Sequence, residues 1–123
     1  MSYTEFQYSN LEISPKENKV DFDRIQIACK IKNIGEHEGD EVVQLYIRDD
    51  FSSVVTYEKL LRGFERIHLS PGEERTILFT LYPEDLMLLN RKMKRVIEAG
   101  SFSVYIGSSS EDTRLEGKLE LKN

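Results

Sequence analysis

The chain has 123 residues, with 22 acidic against 17 basic side chains and a net charge of −5. That length predicts one domain whose single core buries roughly two-thirds of the unfolded surface, and the acidic balance disfavours nonspecific binding to nucleic acid or anionic membranes. One cysteine excludes an internal disulfide, and no apolar run approaches the roughly 20 residues that span a bilayer.

Polar and aromatic residues follow Met1 where a signal peptide would place an apolar stretch. Residues 1–10, rich in tyrosine and serine, read as a linker and lead-in to a first strand around Phe6 to Ile13, and residues 11–123 as the domain proper. Pro15 to Asn18 supply turn residues. In the next strand Ile25, Ile27, Cys29 and Ile31 share one face, opposite Arg24, Gln26, Lys30 and Lys32. Asn33 through Gly39 has turn chemistry. Asp40 to Asp49 returns as a strand in which Val43, Leu45 and Ile47 alternate with Val42, Gln44, Tyr46 and Arg48. Two such strands with a short connection predict an antiparallel pair with one solvated face.

Phe51 to Lys59 reads as a longer loop, followed by an apolar run of Leu60, Leu61, Phe64 and Ile67 that Gly63 interrupts. Ser70-Pro71-Gly72-Glu73 is a strong turn signal, because proline presets φ and glycine accepts φ > 0. Ile77, Phe79 and Leu81 form the apolar face of a further strand, and Pro83-Glu84-Asp85-Leu86 begins a single helical turn. Met87 to Arg95 is basic and only loosely periodic. Phe102, Val104 and Ile106 then alternate with Ser101, Ser103 and Tyr105, and a polar loop from Gly107 to Thr113 leads to Leu115, Leu119 and Leu121 in the last strand. The pattern predicts an all-β fold, an immunoglobulin-like or fibronectin type III-like antiparallel β-sandwich of about seven strands. With one cysteine and no tryptophan, the fibronectin-like branch fits better.

Catalytic chemistry is hard to place on this pattern. Cys29 lies on an apolar strand face and reads as a small core residue rather than a nucleophile. His37 and His68 have no G-x-S-x-G elbow to serve, and no H-x-H, H-E-x-x-H or C-x-x-C pair offers a metal site. Asp40, Asp49 and Asp50 bracket one strand without the spacing of a calcium loop, so they read as charged strand ends. Gly107 to Ser110 lacks the lysine and helix of a phosphate loop. Arg91, Lys92, Lys94 and Arg95 form a basic run suited to a solvated face or an acidic neighbouring domain. Phe51 and Tyr57 are the two loop aromatics that offer a stacking surface to sugar, or cover for the sandwich edge. No catalytic residue, metal ligand or cofactor is assigned.

Several motifs agree in order and spacing: S-Y-T-x-F-x-Y-S-N-L (Ser2 to Leu11), G-D-E-V-V-Q-L-Y-I-R-D (Gly39 to Asp49), G-F-E-R-I (Gly63 to Ile67) and L-S-P-G-E (Leu69 to Glu73). P-E-D-L (Pro83 to Leu86), the run from Glu98 to Asp112, and Arg114-Leu115 complete the set. Together they resemble the C-terminal fibronectin type III-like domain of family 3 glycoside hydrolases, the β-glucosidase and β-xylosidase group. Departures at Tyr57 and Ala99, where that family commonly has proline, and at Asn90, where it has aspartate, fall in loops.

The resemblance implies a noncatalytic accessory domain of an enzyme that hydrolyses terminal β-linked sugars, with the reaction carried by domains outside this chain. The implied partners are the catalytic domains of the same polypeptide, not nucleic acid or membrane, and self-association of the isolated domain is a further possibility. Ser2 to Tyr8 is then the arriving linker, and Asp49 to Lys59 the loop best placed to reach a cleft entrance. The alternative is a standalone sandwich that binds carbohydrate or protein.

Overall fold

In the computed structural model, residues 4–50, 59–86, 88–89, 95–97 and 99–122 are described. Among the described residues ten strands follow in chain order: β1 (Phe6–Ser14), β2 (Glu17–Lys19), β3 (Ile25–Asn33), β4 (Gly39–Asp49), β5 (Leu60–Leu69), β6 (Glu74–Leu81), β7 (Leu88–Leu89), β8 (Arg95–Val96), β9 (Gly100–Gly107) and β10 (Thr113–Lys122). Eight of them build two sheets, one ordered β1-β3-β6 and the other β2-β10-β9-β4-β5, while β7 and β8 form a small ribbon. The expected all-β sandwich is present, with eight strands in its sheets.

Alternation decides which side of each strand is buried. Ile25, Ile27, Cys29 and Ile31 of β3 face Val43, Leu45 and Ile47 of β4 across the interior. Ile77, Phe79 and Leu81 from β6, and Phe102, Val104 and Ile106 from β9, complete most of the core, all buried. Residues Phe6–Asn10 of the lead-in are already part of β1, and Phe6 and Tyr8 are buried in the same core. A register shift between Ser9 and Glu12 accommodates Asn10, whose φ of 54° lies where asparagine is better tolerated than most residues.

The expected pairing of β3 with β4 is not found. β3 pairs with β1 and β6, whereas β4 pairs with β5 and β9 in the opposite sheet. The connection from Asn33 to Gly39 therefore crosses from one layer to the other. Period-two alternation specifies a buried face, and two strands facing each other across a core satisfy it as well as two neighbours do.

Turn chemistry is realised between β5 and β6. Glu73 N donates to Ser70 O at 2.9 Å, and Gly72 takes φ 82°, which only glycine adopts without strain at that turn position. Pro83–Leu86 is one 3-10 turn, with Tyr82 N donating to the Asp85 carboxylate at 2.8 Å. Residues 15–18 are only partly turn. Glu17–Lys19 forms β2, running parallel to the end of β10 with Glu17 opposite Glu120.

Candidate interaction face

The sandwich presents two outer faces of different chemistry. The three-stranded sheet turns Gln26, Ala28, Lys30 and Lys32 outward from β3, a mostly solvated surface. The five-stranded sheet turns outward Val42, Gln44, Tyr46 and Arg48 from β4, with Ser103 and Tyr105 beside them on β9. Register makes rows across this sheet. Leu61 of β5 lies opposite Tyr46, which lies opposite Tyr105, which lies opposite Glu116 of β10. In the next row, Phe64 lies opposite Gln44 and Gln44 opposite Gly107.

A bulge aligns two outward apolar residues of β5, Leu61 and Phe64. Leu45 pairs with Gly63 but Tyr46 pairs with Leu61, so Arg62 is the extra residue, its Nε donating to Asp85 O at 2.7 Å. In a regular strand, positions three apart point to opposite faces; the bulge puts Leu61 and Phe64 on the same one.

The central part of this face is tightly held. Tyr46 Oη donates to Gln44 Oε1, and Gln44 Nε2 donates to Ser108 O at 3.0 Å. The Lys59 ammonium sits 4.5 Å above the Tyr105 ring centre, and the Arg48 guanidinium 5.8 Å from it. Lys59 also donates to Ser110 O at 3.1 Å. Nearby, Asp50 accepts from Ser103 Oγ at 2.7 Å and from Lys118 Nζ at 2.9 Å. Partial burial works against the Asp50 charge, yet Lys118 and Ser103 hold its carboxyl below the ordinary value. Asp50 and Lys59, the residues flanking segment 51–58, are thus both fastened to the outer side of this sheet.

A second cluster ties the first strand to the last. Arg114 donates to both carboxylate oxygens of Asp112 at 2.9 and 3.0 Å, donates to Phe6 O at 3.1 Å, and lies 5.3 Å from the Tyr8 ring centre. Arg114, followed by Ser108, brings the Asp112 carboxyl down to about 2. Tyr8 Oη donates to Glu41 Oε2 at 3.0 Å, and burial followed by the Glu41 charge pushes the phenol upward. The loop from Ser108 to Asp112 closes on itself, Ser108 N donating to Asp112 O at 3.1 Å. Gly107 fits there because an added Cβ would stand 2.1 Å from Asp112 O.

The candidate residues from the sequence fall in different places. Phe51 and Tyr57 lie outside the described residues, as do Arg91, Lys92 and Lys94. Arg95 is in β8, and its side chain is likewise not described. Cys29 is 1% exposed, and burial pushes its thiol up to about 11, far from a reactive thiolate. Asp40 sits at the opposite end of β4 from Asp49 and Asp50, about 30 Å away by strand rise, so these three carboxylates do not converge. His37 is exposed, and its carbonyl accepts from Asn33 Nδ2 at 2.8 Å. The outward position of Phe64 is what sequence reasoning missed.

His68 belongs to an exposed cross-strand cluster. Its Nδ1 is 2.5 Å from Asp40 Oδ1, and Arg66 Nη2 donates to Asp40 Oδ2 at 2.7 Å. The hydrogen bond to Asp40 raises the His68 pKa above its ordinary 6.5, and the His68 and Arg66 hydrogen bonds lower that of Asp40 below 3.8. A raised histidine stabilises the fold below its unfolded value and loses that contribution as pH rises through the folded one. A lowered aspartate stabilises above its unfolded value and loses it as pH falls. The pair therefore contributes most between about pH 4 and 6.5. Comparing urea midpoints of the wild type and His68→Gln should show a gap at about pH 5.5 that closes by about pH 9; a gap constant with pH would contradict the pairing.

Residues 41–110 match the fibronectin type III-like domain family. The chain belongs to that family. It is the counterpart of the C-terminal region of family 3 β-glucosidases and β-xylosidases. It is 40% identical over 124 residues to thermostable β-glucosidase B of Acetivibrio thermocellus, covering 100% of this chain and 16% of that protein. It is also 40% identical over 111 residues to a β-xylosidase of Formosa agariphila, covering 90% of this chain and 15% of the relative. Among solved structures, β-glucosidase from Listeria innocua in complex with glucose superposes with a TM-score of 0.88 at 34% identity, covering 100% of this chain and 17% of that one. The fibronectin-like chain thus spans about one-sixth of these relatives, and in the solved structure the domain is part of a larger β-glucosidase chain.

Proposed function

We propose that this fibronectin type III-like domain is a noncatalytic accessory unit of a family 3 β-glycosidase, a β-glucosidase by the reading we favour. It stabilises the catalytic domains or shapes the entrance to their cleft. The observation that carries the reading is the alignment of the whole chain, at 40% identity, with a 16% portion of a β-glucosidase. Residues 1–10 bring the polypeptide in from the preceding domains, their second half paired in β1 and bound to the last strand through Arg114. The residues at either end of segment 51–58 favour it as the part that meets the cleft entrance, since Asp50 is fastened to β9 and β10 through Ser103 and Lys118, and Lys59 to the loop between those strands through Ser110 O.

Sugar binding by the isolated domain is the weaker reading. Stacking on sugar needs open ring faces, yet of the three described rings on the outer face of the five-stranded sheet Tyr46 and Tyr105 are only 9% and 5% exposed, which leaves Phe64 as a single open ring.

The purified chain should neither hydrolyse an aryl β-glucoside nor bind cello-oligosaccharides with a Kd below about 1 mM. The polypeptide encoded by the complete reading frame should hydrolyse the aryl glycoside, and deletion of residues 51–58 should alter its KM or its thermal stability. Turnover or tight oligosaccharide binding by the chain alone would overturn the accessory role. No effect of the deletion on either quantity would remove the loop from it.

A further inference from the structure

Phe64 is 68% exposed, the most exposed large apolar side chain among the described residues. Leu61, at 47%, and Val42, at 36%, share its face. Val42 sits two residues from Gln44, the residue opposite Phe64, within diagonal reach on the sheet. The floor beside the patch is rigid, since Tyr46 is hydrogen-bonded to Gln44 and the Tyr105 ring is capped by Lys59.

We infer that this face, centred on Phe64, docks the domain onto the covalently attached catalytic part of its own polypeptide; the inference rests on the accessory reading above. Size selects the occupant. A free partner or a second copy needs about 800 Å² from each side, far more than three partly exposed side chains supply. A covalent tether changes the requirement, because it sets the effective concentration of the neighbour in the millimolar range. Contacts between domains of one chain are accordingly smaller, about 600–1,500 Å² in total. The relatives supply such a tether, since this region is 15–17% of their chains. A preorganised floor lowers the ordering cost of docking further.

Two samples test this: the chain of residues 1–123, and the polypeptide encoded by the complete reading frame. Hydroxyl-radical labelling of Phe64 should be about fivefold slower in the complete polypeptide, since a docked ring loses most of its solvent contact. Leu78, 55% exposed on the other sheet, should react equally in both. Phe64→Asp should leave the melting temperature of the 123-residue chain within about 2 °C, because the ring is largely solvated there. The same change should shorten the thermal-inactivation half-life of the complete polypeptide about fivefold. Equal Phe64 labelling in the two samples, with glycosidase activity present in the complete one, overturns the docking face and leaves the accessory role standing. A complete reading frame without glycosidase activity overturns both.

Discussion

Replacing Phe102 with alanine is expected to lower the unfolding free energy of the domain by about 3–5 kcal/mol. Phe102 is among the largest fully buried side chains, 1% exposed, and it points into the core from the central strand β9. Its neighbours in the ladders are Asp49 of β4 and Leu119 of β10, both buried, so packed strands flank it on either side. The void it lines with Ile47 and Leu86 is only about 10 Å³, so the native site has little slack. Removing the ring leaves a cavity that two paired strands cannot close without breaking their ladders, which puts the cost toward the upper end of the range. Native domains hold only about 5–15 kcal/mol in total. At roughly 4 °C per kcal/mol for a chain of this size, the melting temperature should fall by about 15 °C. Phe102→Leu, which keeps most of the volume, should cost about 1 kcal/mol. Urea titrations of the three proteins with a common m-value give the comparison directly; equal midpoints for Phe102→Ala and the wild type would mean that the core is not organised around this ring.

Asn33 is the second position where a single change should be severe, for a polar reason. The residue is fully buried, and every polar group of its side chain is used. Its Nδ2 donates to His37 O at 2.8 Å and to Leu69 O at 3.0 Å, while Oδ1 accepts from Thr4 Oγ1 at 2.7 Å and from Gly35 N at 2.9 Å. Its backbone joins the β5–β6 turn, donating to Glu73 O at 2.9 Å and accepting from Gly72 N at 2.8 Å. One amide thus joins the arriving segment, the crossing between sheets and the end of β5. Asn33→Ala should cost about 3 kcal/mol, because the groups it served lose partners in a site closed to water.

Asn33→Asp is the sharper probe, since it keeps the shape and replaces the donor with an acceptor facing two carbonyl oxygens. Those carbonyls disfavour the charged form, so the folded pKa of the new carboxyl should lie above its ordinary value of about 3.9. A raised carboxyl loses stability as pH rises through that ordinary value. The deficit should be largest near neutral pH and shrink toward about pH 4, where the protonated group can again donate. A pH-independent deficit, or an alanine cost below about 1 kcal/mol, would show that the hydrogen bonds of Asn33 are dispensable.

Much of the fold was legible because period-two alternation is a local property. Ile25 to Ile31, Val43 to Ile47, Ile77 to Leu81 and Phe102 to Ile106 all bury the side that their spacing indicates. The Ser70 to Glu73 turn and the Pro83 to Leu86 turn follow equally local backbone preferences. β2 escaped notice because Glu17, Asn18 and Lys19 have no apolar rhythm, and pairing to β10 places them in the sheet. Of the candidate face, Tyr46 was placed on the outward side, but Leu61 and Phe64 read only as an apolar run. The bulge at Arg62 is the missing piece, for it arises in the match between β4 and β5 and leaves no mark on β5 alone.

The chain's own residues therefore determined the strand faces, the turns and, through seven motifs in register, the likeness to the fibronectin-like domain of family 3 glycosidases. Tertiary structure alone decided that β3 and β4 part into different sheets, that Asn33 is the joint between them, and that Leu61 and Phe64 share one exposed face. The division has a physical cause. Side-chain alternation and turn preference act over a few residues, whereas strand partner, register and bulge depend on contacts between segments far apart in the chain.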